Sequence, residues 1–97
     1  MCKKLHISLI DEKKESIIID IRDKVSFNEG HIEGALNLSN ENIRAFIHDT
    51  QKNQSIIVCC YHGNSSQRAS EFLAQEGFTD VYSLNGGYEM WKNQKNK

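Results

Sequence analysis

Proline is absent from the 97 residues. No cis-proline turn and no proline-marked linker is therefore available to the chain. Long apolar runs are absent too, and none approaches the ~20 residues of a membrane-spanning helix. Met1-Cys2-Lys3-Lys4-Leu5-His6 carries charge, but no apolar segment or cleavage site follows it. A signal peptide is not expected, and a cytoplasmic location is. Lys and Arg number 12 against 13 Asp and Glu, a net charge of −1, and no basic run exceeds two residues. That balance points away from nucleic acid and from a membrane surface as partners. Cysteine is scarce and odd in number, with Cys2, Cys59 and Cys60. There is no C-x-x-C, and a reducing compartment disfavours any bridge. His6, His31, His48 and His62 sit at no metal-ligand spacing, so no metal is expected.

What is present is organised around Ile56-Ile57-Val58-Cys59-Cys60-Tyr61-His62-Gly63-Asn64-Ser65-Ser66-Gln67-Arg68-Ala69. The apolar, β-branched opening predicts a buried strand, Ser55 to Cys59. Cys60 falls where the strand stops. A small polar loop follows, then a helix predicted over Gln67 to Gln75 and ended by Gly77. Loop N–H groups form a nest, and a helix N-terminus adds partial positive charge. Both favour thiolate over thiol and hold an anion beside the sulfur. An ordinary thiol is only about 3% ionised at pH 7. A helix terminus contributes about 0.3–2 kcal/mol, so the loop amides, with His62 as a further candidate, are asked for the rest.

The length predicts one domain over 1–97, with a core from about 4 to 92 and a polar, frayed tail over 93–97. Lys4 to Ile7 reads as a first strand. Ser8-Leu9-Ile10-Asp11 resembles a capping box opening a short helix, although the alternation of Leu5, Ile7 and Leu9 equally suits one longer strand. Ser16 to Arg22 is the clearest strand, its three isoleucines implying burial on both faces. Asp20 and Arg22 share a side of it, either as a solvated ion pair or as a buried pair bracing a neighbouring loop. Ser26-Phe27-Asn28-Glu29 predicts a second capping box and a single helical turn. His31, in a turn bracketed by Gly30 and Gly34, fits hydrogen bonding to the turn better than acid–base work. Ala35 to Leu38 is a short strand. Ser39 or Asn40 caps a helix to about Asp49, with Ile43, Phe46 and Ile47 inward and His48 at its dipole. Ala69, Phe72 and Leu73 are the inward face of the helix after Cys60. Val81 to Leu84 is the last strand, Asn85-Gly86-Gly87 a turn, and a terminal helix starts at Tyr88, with Trp91 a core anchor.

Strands alternate with helices over short connections. That implies right-handed crossovers and an α/β fold, a parallel sheet with helices on both faces. Ligands bind beyond the carboxyl ends of such strands, and Cys60, Arg22 and Gly86-Gly87 all fall there.

Asp20-Ile21-Arg22-Asp23, Gly30-His31-Ile32-Glu33-Gly34-Ala35, Cys60-Tyr61-His62-Gly63-Asn64-Ser65-Ser66 and Leu84-Asn85-Gly86-Gly87-Tyr88-Glu89-Met90-Trp91 together resemble the rhodanese-like family. They occur in the family's order between Ser16 and Trp91, and the cysteine loop is similar to that of bacterial single-domain sulfurtransferases. The resemblance implies a five-stranded parallel domain. It implies that Cys60 is a nucleophile carrying a persulfide, ringed by the backbone amides of Tyr61, His62, Gly63, Asn64 and Ser65, with Ser66 closing the loop. Asp20 and Arg22 match the family's Asp-x-Arg, a structural pair supporting that loop, and His31 matches a structural Gly-His-Ile turn.

The implied reaction moves the outer sulfur of thiosulfate through the Cys60 persulfide to an acceptor. That acceptor is cyanide in an assay and a thiol or dithiol carrier, such as a thioredoxin-like protein, in a cell. No cofactor is required. Tyr61 and His62 either shape acceptor access or fill space at the loop rim. No Lys or Arg lies between Cys60 and Ser66, and Arg68 lies just beyond, so weak donor affinity is expected. Cys59 points opposite to Cys60, which suits packing in an apolar layer better than a resolving thiol. Cys2 has no assigned part. Two alternatives remain. A non-catalytic rhodanese-like module needs no reactive cysteine. A cysteine-loop phosphatase or arsenate reductase needs an arginine six positions past the cysteine, where this chain has Ser66.

Overall fold

The computed structural model describes residues 3–13 and 15–95. The expectation for Cys2, and the end of the predicted tail, lie outside them. Five strands, β1 (Lys3–Leu5), β2 (Ile17–Asp20), β3 (Leu36–Asn37), β4 (Ile56–Cys59) and β5 (Val81–Leu84), form one sheet. All pairings are parallel, and the spatial order is β1-β5-β4-β2-β3. The helices are α1 (Lys24–Glu29), α2 (Ile43–Asp49), α3 (Ser65–Gln75) and α4 (Gly87–Lys95), and a 3-10 helix runs over Ile7–Glu12.

β4 takes the centre because it has no polar side to offer; all four of its residues are fully buried. Side-chain alternation then divides the core. Ile57 and Cys59 pack with Leu5, Ile7, Ile10, Leu84 and Tyr88 on the face covered by the 3-10 helix, α1 and α4. Ile56 and Val58 pack with Ile19, Ile47, Leu73 and Val81 on the face covered by α2 and α3. Two positions beyond Val58, Cys60 leaves the sheet on the α3 side. Parallel strands buried on both sides need such covering.

The element boundaries differ from expectation where a cap lies further upstream. Helix α1 starts at Lys24, and its N-cap is Asp23. Asp23 accepts hydrogen bonds from the Ser26 N–H at 3.0 Å and the Ser26 hydroxyl at 2.8 Å. Ser26 is thus the third helical residue, not the cap, and the helix exceeds one turn. The Ser26 N–H and then the Ser26 hydroxyl hold the Asp23 carboxyl below its usual range. The first strand is Lys3–Leu5, and the residues after it turn into the 3-10 helix rather than one longer strand. His6, not Ser8, caps that helix, its ring nitrogen accepting the Ser8 N–H at 3.1 Å. β2 is shorter than predicted: at one end the Ser16 N–H turns back to Lys13 O at 2.9 Å, and at the other, past the Ile21 N–H that still meets Cys59 O, the Arg22 N–H turns to the Asp20 carboxylate at 2.9 Å. Ser39, one of the two expected caps, accepts the Glu41 N–H on its hydroxyl at 3.3 Å, but the regular part of α2 starts only after Asn42, which makes no side-chain cap bond. The Asn42 side-chain oxygen accepts the Ser39 N–H at 2.7 Å. Ile43, Phe46 and Ile47 do face the core. His48 is exposed and pairs with Asp49 at 3.0 Å.

Helix α3 begins two residues before the predicted Gln67. It ends as expected at Gly77, where φ is +110°. The Phe78 N–H reaches Leu73 O at 3.2 Å and the Gly77 N–H reaches Ala74 O at 3.1 Å. That is a Schellman closure, and its hydrophobic contact is Phe78 with Leu73 in one core cluster. Residues 93–95, placed in a frayed tail by composition, continue α4. No helix among the described residues is long and apolar enough to cross a membrane.

Candidate active site

The Cys60 loop is short, and both its ends are held. The Cys60 sulfur accepts the Gly63 N–H at 3.0 Å and the Ser66 N–H at 3.3 Å, and lies 3.4 Å from the Ser66 hydroxyl. The amide of Ser66 belongs to the first turn of α3, so the helix N-terminus itself meets the sulfur. Gly63 is the one amide of the predicted set, Tyr61 to Ser65, that hydrogen-bonds the sulfur. The other donor comes from Ser66, because α3 begins early enough to bring its first turn there. The Gln67 side chain donates to Gly63 O at 2.9 Å and ties the middle of the loop to the first turn of α3.

Cys60 is only 5% exposed. The way to it is a cleft of about 510 Å³ whose walls include Arg22, Asp23, Glu29, Tyr61, Tyr88 and Glu89. Tyr61 is half-exposed at the rim, and its ring packs against His62 at a centroid distance of 4.5 Å. His62 pairs with Glu89 at 3.4 Å. It therefore serves the rim, and the sulfur's hydrogen bonds come from backbone and hydroxyl. Asn64 is the α3 N-cap position and makes no side-chain cap bond. Ser65 is exposed and lines the cleft.

Asp20 and Arg22 form a buried pair. Asp20 is fully buried, and it receives Arg22 Nε at 3.1 Å on each oxygen and Arg22 Nη2 at 2.8 Å. Nη2 also donates to Gly30 O at 2.7 Å. The guanidinium lies 4.0 Å over the Tyr88 ring, a cation–π contact. Tyr88 in turn donates its N–H to Cys60 O at 2.7 Å, and Glu89 donates to Tyr61 O at 3.1 Å. The pair thus reaches the loop through Tyr88. Burial opposes the charge of Arg22, but the hydrogen bond and attraction of Asp20 leave its pKa raised. His31 lies outside this network. It stacks on Phe27 at 3.8 Å, and its Nδ1 meets Phe27 O at 2.7 Å.

Cys59 turns the other way, into the core with Leu5, Ile57 and Leu84. Burial, and then the charge of Asp20, push its thiol pKa up to about 12. A thiol so placed packs and does not attack at neutral pH. Among the described residues no His, Cys, Asp or Glu cluster could hold a metal ion.

Several contributors were not singled out from the sequence. Tyr88 carries the link from Arg22 to the loop. Asn37 donates to Asp20 O at 3.0 Å and Arg22 O at 2.9 Å, shaping the exit of β2. Ser83 meets Ser66 beneath the sulfur at 2.6 Å. The signal for Tyr88 was its place directly after a Gly-Gly turn at a strand's carboxyl end.

Gly87 shows why that turn is glycine. Its φ is +63°, and a Cβ there would lie 2.5 Å from Cys60 O and 2.6 Å from Tyr61 O, both backbone atoms. The neighbours cannot yield without moving the loop. Gly87→Ala is expected to destabilise the fold by about 1–3 kcal/mol, read as a fall in the urea midpoint. A midpoint equal to that of the parent protein would mean that the contact is not tight.

The Rhodanese-like domain family model matches residues 4–94. The chain is 52% identical over 80 residues to the thiosulfate sulfurtransferase GlpE of Shewanella oneidensis, covering 82% of this chain and 79% of that one. It is 48% identical over 77 residues to the thiosulfate sulfurtransferase GlpE of Pseudomonas fluorescens, covering 79% and 71%. A rhodanese-related protein of Thermoplasma volcanium superposes with a TM-score of 0.82 at 25% identity, over 95% of this chain and 92% of that one. The rhodanese-like domain of an Anabaena protein gives 0.84 at 25% identity, over 97% and 76%. A family match spanning nearly every residue, on a parallel sheet with a cysteine at the carboxyl end of its central strand, has one conclusion: this chain belongs to the rhodanese-like family.

Proposed function

We propose that the protein is a thiosulfate sulfurtransferase that works through a persulfide on Cys60. The observation that carries this reading is the sulfur itself, held by the Gly63 and Ser66 amides where Cys60 lines a cleft. Donors fixed in this way favour an anionic sulfur without reorganisation. The relatives named as thiosulfate sulfurtransferases support the choice of donor.

In the first half-reaction the Cys60 thiolate attacks the outer sulfur of thiosulfate. The sulfur–sulfur bond of thiosulfate breaks, and sulfite leaves with its electron pair. In the second, an acceptor thiol or dithiol takes the outer sulfur, and the pair returns to Cys60. A thioredoxin-like dithiol protein fits the acceptor role, and cyanide replaces it in an assay. Asp20 and Arg22 position the loop through Tyr88. Tyr61, His62, Asn64 and Ser65 form the rim that a donor or acceptor meets.

The cleft walls carry Asp23, Glu29 and Glu89 against Lys92, Arg22 being neutralised by Asp20. A dianionic donor is thus held by amides and hydroxyls rather than by a cation, consistent with weak donor affinity. The phosphatase reading lacks its oxyanion clamp, since Ser66 stands at the required position with its side chain fully buried. A non-catalytic module has no use for a sulfur so presented.

The test is mass spectrometry of the protein after thiosulfate treatment. The expected result is a gain of one sulfur atom, placed on Cys60 by fragmentation of the peptide that carries both Cys59 and Cys60, and discharged by cyanide. A gain on Cys59, or none on Cys60, would overturn the assignment.

A further inference from the structure

We propose that Ser83 is a positioning residue for the sulfur chemistry: it turns the hydroxyl hydrogen of Ser66 onto Cys60 Sγ and so supports the anionic forms of that sulfur. The proposal deepens the sulfurtransferase reading and rests on it for the meaning of that charge.

Ser83 sits in β5 between Tyr82 and Leu84. By alternation it faces α3 together with Val81, which packs against Leu73 and Val58. It is 1% exposed, and Ser66 is 0% exposed. A hydroxyl in an apolar layer needs a partner. Ser83 Oγ has one, Ser66 Oγ at 2.6 Å, and no other side-chain hydrogen bond among the described residues. Ser66 Oγ in turn lies 3.4 Å from Cys60 Sγ: it accepts from the sulfur while that is a thiol, and once the sulfur is ionised it is the hydroxyl that must donate. The three atoms form a line that starts at β5 and ends at the sulfur.

Two hydroxyls supply two hydrogens. Were Ser66 to donate to Ser83, the Ser83 hydrogen would have no acceptor, and a stranded buried donor is costly. Ser83 therefore donates to Ser66. The remaining Ser66 hydrogen is then left for Cys60 Sγ. A hydrogen bond to an ionised acceptor is about twice as strong as one to a neutral acceptor, so the arrangement favours sulfur that carries negative charge. Sγ carries it twice in the cycle. It does so as the thiolate that attacks thiosulfate, its proton having left to solvent through the cleft. It does so again as the leaving thiolate, when the acceptor takes the outer sulfur and the bonding pair returns to Sγ. Ser83 touches no reacting atom and acts only through Ser66.

The experiment is the rate of iodoacetamide alkylation of the full chain from mildly acidic to alkaline pH, read by mass spectrometry with fragmentation that separates Cys60 from the adjacent Cys59. Ser83→Ala is expected to slow alkylation about tenfold at neutral pH and to leave the alkaline plateau unchanged. Ser83→Thr, which keeps the hydroxyl, is expected to restore the wild-type profile. Ser66→Ala loses the same contact, so Ser66→Ala/Ser83→Ala should lose no more than Ser66→Ala alone. Ser83→Cys fills the space with a poor donor and is held to the same outcomes where Ser83→Ala does not fold. Three results would each overturn the proposal: a Ser83→Ala profile lying on the wild type, slowing by one factor at every pH as loosened packing gives, or additive losses in the double variant. Alkylation needs no sulfur donor, so this failure is distinct from a failure of Cys60 to take sulfur from thiosulfate.

Discussion

Cys60→Ser is expected to abolish transfer of sulfur from thiosulfate to cyanide, by a factor beyond about 10⁴, the scale of removing the nucleophile from a covalent enzyme. The substitution is severe for chemistry and mild for structure. A serine oxygen still accepts the Gly63 and Ser66 amides that the sulfur accepts now, so the fold should change in stability by no more than about 1 kcal/mol. The hydroxyl, however, is almost never ionised at neutral pH, and no sulfur–sulfur bond can form on it. Thiocyanate production and the mass of the thiosulfate-treated protein are the two readouts. Cys59→Ser provides the contrast. Cys59 is fully buried on the opposite face, and its loss should lower stability while leaving turnover in place. Turnover that survives Cys60→Ser, or dies with Cys59→Ser in a folded protein, would assign the nucleophile elsewhere.

Arg22→Ala is expected to cost about 3–5 kcal/mol of stability, because it leaves a buried carboxylate without its partner. Against the 5–15 kcal/mol typical of a whole domain, that is from about a fifth to all of the stability. Three interactions disappear together: the fork on Asp20, the bond to Gly30 O and the contact with the Tyr88 ring. The dominant part is the stranded charge, since Asp20 is fully buried. Asp20→Asn in the Arg22→Ala background should therefore recover a large share of the loss, by removing the charge while keeping an acceptor for the Arg22-position N–H. Urea denaturation of the three variants measures this. A loss below about 1 kcal/mol for Arg22→Ala is what a solvated surface pair gives, and would remove the brace from the account of the loop.

The parts of the site that were legible in the sequence are those carried by local pattern. The apolar run ending at Cys60, the small polar loop and the helix after it are contiguous, so a strand, a sulfur and a helix N-terminus could be placed in order. Side-chain alternation put Cys59 and Cys60 on opposite sides. The boundaries failed where two cap residues compete within a few positions. Asp23 displaces Ser26 because a carboxylate three residues upstream accepts both the N–H and the hydroxyl of Ser26. The amide set failed because a loop's hydrogen bonds depend on where the following helix begins. Ser66, rather than its predecessors, supplies the second donor.

The order of apolar strands and amphipathic helices determined a parallel sheet covered on both sides, and with it the arrival of Cys60 at a carboxyl edge. Periodicity is a property of neighbours along the chain, so it can be read without coordinates. Which residues meet that sulfur from elsewhere in the chain was decided only by packing. Tyr88 lies under Arg22 and against Cys60 because α4 docks on one face of the sheet, and Ser83 lies against Ser66 because α3 docks on the other. Those contacts join residues 17 to 66 positions apart. Their partners are chosen by strand order and by which helix covers which face, and no local spacing encodes either.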